Sequence, residues 1–179
     1  MSSAIDETTM AARQPVLVDL ALQGGGSHGA FTWGVLDRLL EEPWIRIEAI
    51  SGTSAGAMNA AVLADGWLKG GADGARAALD AYWRRVSRAA AFSPLRRSPL
   101  ERLMGRWTLD TSPAYLAMDL MSRVFSPYDL NPSKLNAEWE FLEMLKVEGR
   151  KSAADFLTSY GADLGSKSSA DLDVLLAEC

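Results

Sequence analysis

The chain has 179 residues, 48% hydrophobic and 23% charged, a composition typical of one folded domain and unlike that of a disordered segment. Its formal net charge of −5 argues against a nucleic-acid-binding protein. The single cysteine, Cys179, and the single histidine, His28, exclude an intrachain disulfide and a zinc site of the usual Cys/His kind. We therefore expect no metal and no other cofactor.

The first third of the chain alternates strand and helix patterns. Residues 16–22 are apolar and rich in strand formers, and residues 45–51 alternate apolar with polar side chains. Helix patterns follow each of them, at 30–41 and 55–64. This order predicts two parallel strands joined by a right-handed crossover, in an α/β fold.

The rest of the chain has helix patterns and no convincing strand. The predicted segments are a loop at 65–74 and helices at 75–91, 112–125, 136–147, from Ser152 onward, and 169–177. Because a parallel sheet buried on both faces needs more than two strands, we expect the sheet to be incomplete.

Positive charge is concentrated in residues 76–106, which hold eight arginines against Asp80 and Glu101. Two interpretations stay open: a solvated helix face, or a surface attracted to anionic lipid headgroups. No signal peptide is evident in residues 1–14, and the uncharged stretch 49–64 is too short and polar to span a bilayer. The sequence therefore predicts a cytoplasmic protein, peripheral to a membrane under the second interpretation.

A G-x-S-x-G motif, Gly52 to Gly56, stands between the second strand and its helix. The small residues Gly52 and Gly56 permit a tight turn that projects the Ser54 hydroxyl, and the helix N-terminus favours developing negative charge. This pattern indicates a nucleophile, although strand-to-helix turns also favour glycine and serine for structural reasons alone.

A glycine-rich loop follows the first strand, with Gly24, Gly25, Gly26 and Gly29. Consecutive glycines let backbone N–H groups converge on an anion, which fits an oxyanion hole. A phosphate or dinucleotide loop is the alternative, but the G-x-G-x-x-G spacing is loose and no P-loop lysine follows.

These two motifs together resemble those of bacterial patatin-like phospholipases, most closely in LALQGGGSHGAFTWGVLDRLLE and IEAISGTSAGAMNA. The resemblance implies a three-layer α/β/α fold with a parallel sheet and an activity on lipid or phospholipid esters. It also implies Ser54 as nucleophile, the loop of Gly24, Gly25, Gly26 and Gly29 as oxyanion hole, and no metal.

The family uses a Ser–Asp dyad whose aspartate lies far downstream in a D-G-G or D-G-A motif. Here the literal match, Asp73-Gly74-Ala75, comes only 19 residues after Ser54. His28, inside the glycine loop, is the other candidate base. Neither has the position that the family pattern assigns to the base.

Residues 133–176 also resemble the family's C-terminal helices. We therefore divide a single domain into a flexible N-terminus at 1–14, an N-terminal half at 15–130 and C-terminal helices at 133–179. An internal deletion joining near residues 131–133 is the hypothesis. Besides a lipid acyl hydrolase, the sequence leaves open an inactive remnant that binds lipid or protein. A related acyltransferase ranks last because no histidine follows residue 28.

Overall fold

The computed structural model describes residues 14–90, 103–104 and 132–167. In chain order they form β1 (Val16–Leu22), α1 (Gly29–Leu39), β2 (Ile45–Gly52), α2 (Ala55–Ala90) and α3 (Trp139–Tyr160). Short 3-10 turns occupy Gly26–His28, Pro132–Leu135 and Gly161–Asp163. Residues 1–13 of the N-terminus predicted to be flexible at 1–14 lie outside the described residues, as do the helices predicted at 112–125 and 169–177.

The two predicted strands form a parallel sheet, with Val16 opposite Ile45 and Leu22 opposite Gly52. The prediction of an α/β fold that starts with a parallel pair is thereby confirmed. Apolar side chains on one face of the sheet pack against the described helices, whereas Leu17 on the other face is 61% exposed. One face of the sheet therefore forms one side of the core, and the described helices form the other.

The predicted loop at 65–74 is wrong, because α2 continues through it with a break of only two residues. Gly70 and Gly71 have non-helical backbone angles, and Gly71 has a φ of 61° that favours glycine. The second part of α2 folds back on the first: a Cβ on Gly66 would lie 2.6 Å from the carbonyl oxygen of Gly74. Two glycines, Gly70 and Gly71, are enough to reverse the chain direction here, so no loop of ten residues forms.

The prediction of two helices, one at 136–147 and one from Ser152, is also wrong, since α3 is continuous from Trp139 to Tyr160. Gly149 lies inside this helix for a tertiary reason. A Cβ on Gly149 would lie 2.1 Å from the Phe31 carbonyl oxygen, and one on Gly34 would lie 2.0 Å from that of Lys146. The two glycines let α1 and α3 pack backbone to backbone, which outweighs the low helix propensity of glycine.

Large apolar side chains from all three helices fill the space above the sheet. The rings of Trp33 and Trp83 stack with centroids 6.3 Å apart and planes inclined by 12°. Leu36, Leu79 and Leu142 are also fully or almost fully buried. Burial of each large apolar side chain contributes about 1.5–3 kcal/mol, so this cluster is the main source of stability in the described part.

An ionic cluster joins the same three helices at the edge of the core. Arg76 on α2 donates from Nε to Asp37 Oδ1 on α1 at 2.9 Å, and Arg150 on α3 binds the other oxygen of Asp37. Both arginines also contact Glu41 Oε1 at 2.8 Å. Burial favours the neutral acid, but the hydrogen bonds and positive charges outweigh it and hold the pKa of Asp37 below its ordinary 3.8.

We expect Gly149→Ala to destabilise the protein by about 1–3 kcal/mol, because the new methyl group forces α1 and α3 apart. Urea denaturation measures the loss. Gly161→Ala at the end of α3 is the control, since its Cβ would meet no atom closer than 3.9 Å. Equal stabilities of the two variants would contradict the close approach of the helices.

Because of the ionic cluster, we expect the free energy of unfolding to depend on pH. Because the pKa of Asp37 is lower when folded than when unfolded, its stabilising contribution is complete above the unfolded pKa and is lost as pH falls through the folded pKa. We expect the stability advantage of the wild type over Asp37→Asn to be constant above about pH 5 and to shrink as the pH falls from about 5 to about 2. A constant difference in urea-unfolding free energy over that range would contradict this assignment.

Candidate active site

Ser54 lies at the turn from β2 into α2 in a strained conformation. Its φ is 49°, and within the described ranges no other residue except glycine has a positive φ. Such a conformation costs a non-glycine residue on the order of 1–3 kcal/mol and persists only where the surroundings impose it. It is the backbone geometry of a nucleophile elbow, the sharp strand-to-helix turn that exposes a serine hydroxyl.

The two glycines of the motif are required by close contacts on either side of Ser54. A Cβ on Gly52 would lie 2.7 Å from the Ala57 nitrogen. A Cβ on Gly56 would lie 2.2 Å from the carbonyl oxygen of Leu22, at the end of β1. The first contact tightens the turn itself, and the second brings the start of α2 against the end of the neighbouring strand.

The glycine-rich loop lies directly beside the elbow. The Gly24 N–H donates to Thr53 Oγ1 at 3.2 Å, and a Cβ on Gly24 would lie 3.0 Å from the Ser54 Cβ. At the far side of the loop, Gly26 has a φ of 58° and packs against the carbonyl of Lys134. The two motifs, 28 residues apart at Gly26 and Ser54, therefore meet in one site.

A buried amide that sequence reasoning missed joins the loop to the helix layer. Asn59 is fully buried; its Nδ2 donates to the Gly29 carbonyl at 2.9 Å, and its Oδ1 accepts from Trp83 Nε1 at 3.0 Å. Both ends of the amide are thus satisfied. The sequence could have indicated this role, because Asn59 is a polar residue at helical spacing between the apolar Ala55 and Leu63, on the face of α2 that is buried.

His28 borders the loop on the side of α3. Its ring meets that of Phe141 edge to face at 6.2 Å. Burial, and then the positive charge of Lys134, lower the pKa of His28 from its ordinary 6.5. His28 and Lys134 line an open cavity of about 370 Å³ together with Gly24 and Gly25. Burial and the charge of Lys134 both favour the uncharged imidazole.

Asp73 is not brought to Ser54. Gly74 packs against Gly66, which lies twelve residues along α2 from Ser54, a distance of about 18 Å along a helix. Within residues 14–90 and 132–167, no side chain hydrogen-bonds the Ser54 hydroxyl, and no group of three potential metal ligands occurs. The two motifs meet in the site, but Asp73 stands apart from it.

Part of the arginine-rich segment is neutralised within the molecule. Arg76 belongs to the ionic cluster, and Arg84 pairs with Asp80 at 2.6 Å while its guanidinium lies 4.3 Å from the centre of the Trp139 ring. For these two arginines the structure favours the first interpretation, a solvated helix face, over a surface attracted to anionic lipid headgroups. Arginines 96, 97, 102 and 106 lie outside the described residues. No described helix is long and apolar enough to cross a membrane.

We expect Asn59→Leu to lower the free energy of unfolding by about 2 kcal/mol or more, because the Trp83 N–H and the Gly29 carbonyl lose their partner in the core. Urea denaturation checks this, with the exposed Ser152→Ala on α3 as control. A loss no larger than the control's would show that the amide does not bridge these groups.

The family model described as Patatin-like phospholipase matches residues 20–174. The match includes the glycine-rich loop, the elbow and α3. No curated protein and no solved structure matches the chain.

Proposed function

The chain belongs to the patatin-like phospholipase family, and from this membership we propose that it is a serine hydrolase of lipid carboxylic esters. Membership supports a hydrolase acting on lipids. The finer proposal, with Ser54 as nucleophile, is supported above all by one observation: the strained Ser54 lies against Gly24 of the glycine-rich loop.

In the proposed reaction the Ser54 hydroxyl oxygen forms a bond to the ester carbonyl carbon, and its proton passes to solvent water. The carbonyl oxygen becomes an oxyanion and accepts hydrogen bonds from backbone N–H groups of the loop. Since the Gly24 N–H already binds Thr53, we assign this role to Gly25 and Gly26. Loss of one such donor typically reduces the rate about 10²–10³-fold.

The tetrahedral intermediate then collapses: the ester C–O bond breaks, and the alcohol leaves with a proton taken from water. Water attacks the resulting acyl-enzyme, which releases a fatty acid and restores the Ser54 hydroxyl. Helix α2 begins at Ala55, immediately after the nucleophile, so its positive N-terminal end favours the negative charge of the tetrahedral intermediate. Such a helix terminus contributes about 0.3–1 kcal/mol at an exposed site, which makes it secondary to the loop amides.

We assign the role of base to neither of the two residues that the sequence proposed. Asp73 lies remote from the elbow, and the His28 ring packs toward Phe141 and Lys134. The proposal therefore depends on Ser54, the loop of Gly24, Gly25, Gly26 and Gly29, and the start of α2.

We expect a fluorophosphonate to add once to the wild-type chain and not to Ser54→Ala, because only an activated serine attacks phosphorus at a useful rate. Intact-mass spectrometry measures the adduct, and Ser152→Ala should label like the wild type. No adduct on a wild-type chain that unfolds cooperatively would favour the inactive remnant, with the elbow kept as architecture.

We expect His28→Gln and Asp73→Asn to retain fluorophosphonate labelling within about threefold, since neither side chain hydrogen-bonds the Ser54 hydroxyl. The rate of adduct formation near neutral pH is the measurement. A loss of labelling in His28→Gln alone, with unchanged thermal stability, would assign the proton-accepting role to His28.

A further inference from the structure

An apolar groove lies open along β2, on the side of the first part of α2. Two adjoining cavities of about 550 and 490 Å³ share Ile47 and Trp67 as lining residues. Trp67 is 46% exposed and its neighbour Leu68 is 88% exposed. Exposed apolar surface that is contiguous along a strand and a helix is typical of an interaction site.

The strand edge beside this groove offers unpaired backbone groups. In the described part of the chain β2 pairs with β1 and with no other strand. The Val16 N–H donates to the Trp44 carbonyl, so alternation along the ladder turns the backbone N–H and C=O groups of Ile45 and Ile47 away from β1. The Ile45 N–H already donates to the Glu42 carbonyl at 3.1 Å, which leaves Ile47 as the residue that presents its backbone at the open edge. An open edge of this kind accepts a further strand.

The charged side chains of β2 are arranged so that they would complement those of a second copy of the same strand. Arg46 and Glu48 are exposed on either side of Ile47, and neither forms an ion pair with another described residue. Glu48 has no partner on β1, because the register passes from Ile47 to Ala49 there. A two-fold axis at Ile47 would set Arg46 opposite Glu48 of a second copy, and Glu48 opposite its Arg46.

We propose that a second copy of this chain docks on β2 by antiparallel pairing of residues 46–48 about Ile47. An isologous interface must be self-complementary, and the order Arg46-Ile47-Glu48 meets that condition. Because Ile47 turns its backbone toward the partner, each Arg46–Glu48 pair falls at a non-hydrogen-bonded position, where facing side chains lie closest.

Such pairing would join two short sheets into one of four strands. It would also bring Trp67, Leu68 and Ile47 of both copies together and cover the groove. The inference is independent of the proposed hydrolase activity, since it concerns residues 46–48 of β2 and not Ser54 in the turn that follows this strand.

Sedimentation velocity over a range of protein concentrations tests the proposal. We expect a monomer–dimer equilibrium in the wild type, a weakening of about tenfold in Arg46→Glu and in Glu48→Arg, and recovery in the double variant. Lys151→Glu, an equal charge change at an exposed site on α3, should leave the dimer unchanged.

Two results would overturn the proposal. One is a wild-type chain that stays monomeric up to on the order of 100 µM, which would leave the groove to another occupant such as an acyl chain or a foreign strand. The other is a dimer that Arg46→Glu and Glu48→Arg weaken no more than Lys151→Glu does, or one that the double variant does not recover.

Discussion

The start of α2 packs against the segment that follows β1, and the geometry of the site depends on this contact. Gly56 approaches the Leu22 carbonyl, Gly29 approaches Ala55, and Gly24 approaches Ser54, each at a distance that excludes a side chain. A methyl group at any of the three would separate the elbow from the glycine-rich loop. The strained φ of Ser54 persists because these neighbours leave the turn no relaxed alternative.

The helical layer stabilises that contact through polar and aromatic groups. Asn59 binds the Gly29 carbonyl and Trp83, and the Trp83 ring stacks on Trp33 of α1. A buried network that is fully satisfied orients its members, whereas one left partly unsatisfied destabilises the core. The position of the loop is therefore coupled to the packing of α1, α2 and α3, and a change in that packing would reach Ser54.

The described sheet is unusual in having two parallel strands with helices on one face. Parallel sheets are normally buried on both faces, and here Leu17 on β1 and the groove beside Ile47 remain open. The geometry of the turn at Ser54 and the completeness of the sheet are thus separate properties of the described part: the turn follows the end of β2, while the open edge runs along its middle. A second copy would complete the sheet without contact at Ser54.

The sequence by itself predicted the segments whose backbone conformation depends on neighbouring residues, namely the strands and the turn at Ser54. Alternating and β-branched residues predicted both strands, because strand preference acts between near neighbours in the chain. The small residues around Ser54 predicted a tight turn between β2 and α2, although the contact that excludes a side chain at Gly56 is with Leu22 of the other strand. Tertiary packing decided the rest. The sequence predicted a break between two helices around Gly149, and only the close packing of α1 explains a glycine inside one continuous helix. Asn59 has no evident role in the sequence, and the structure shows it bonded to Gly29 and Trp83. Asp73 matches the aspartate motif in sequence, but the fold places it away from Ser54. Contacts between distant segments set these outcomes, and no local pattern encodes them.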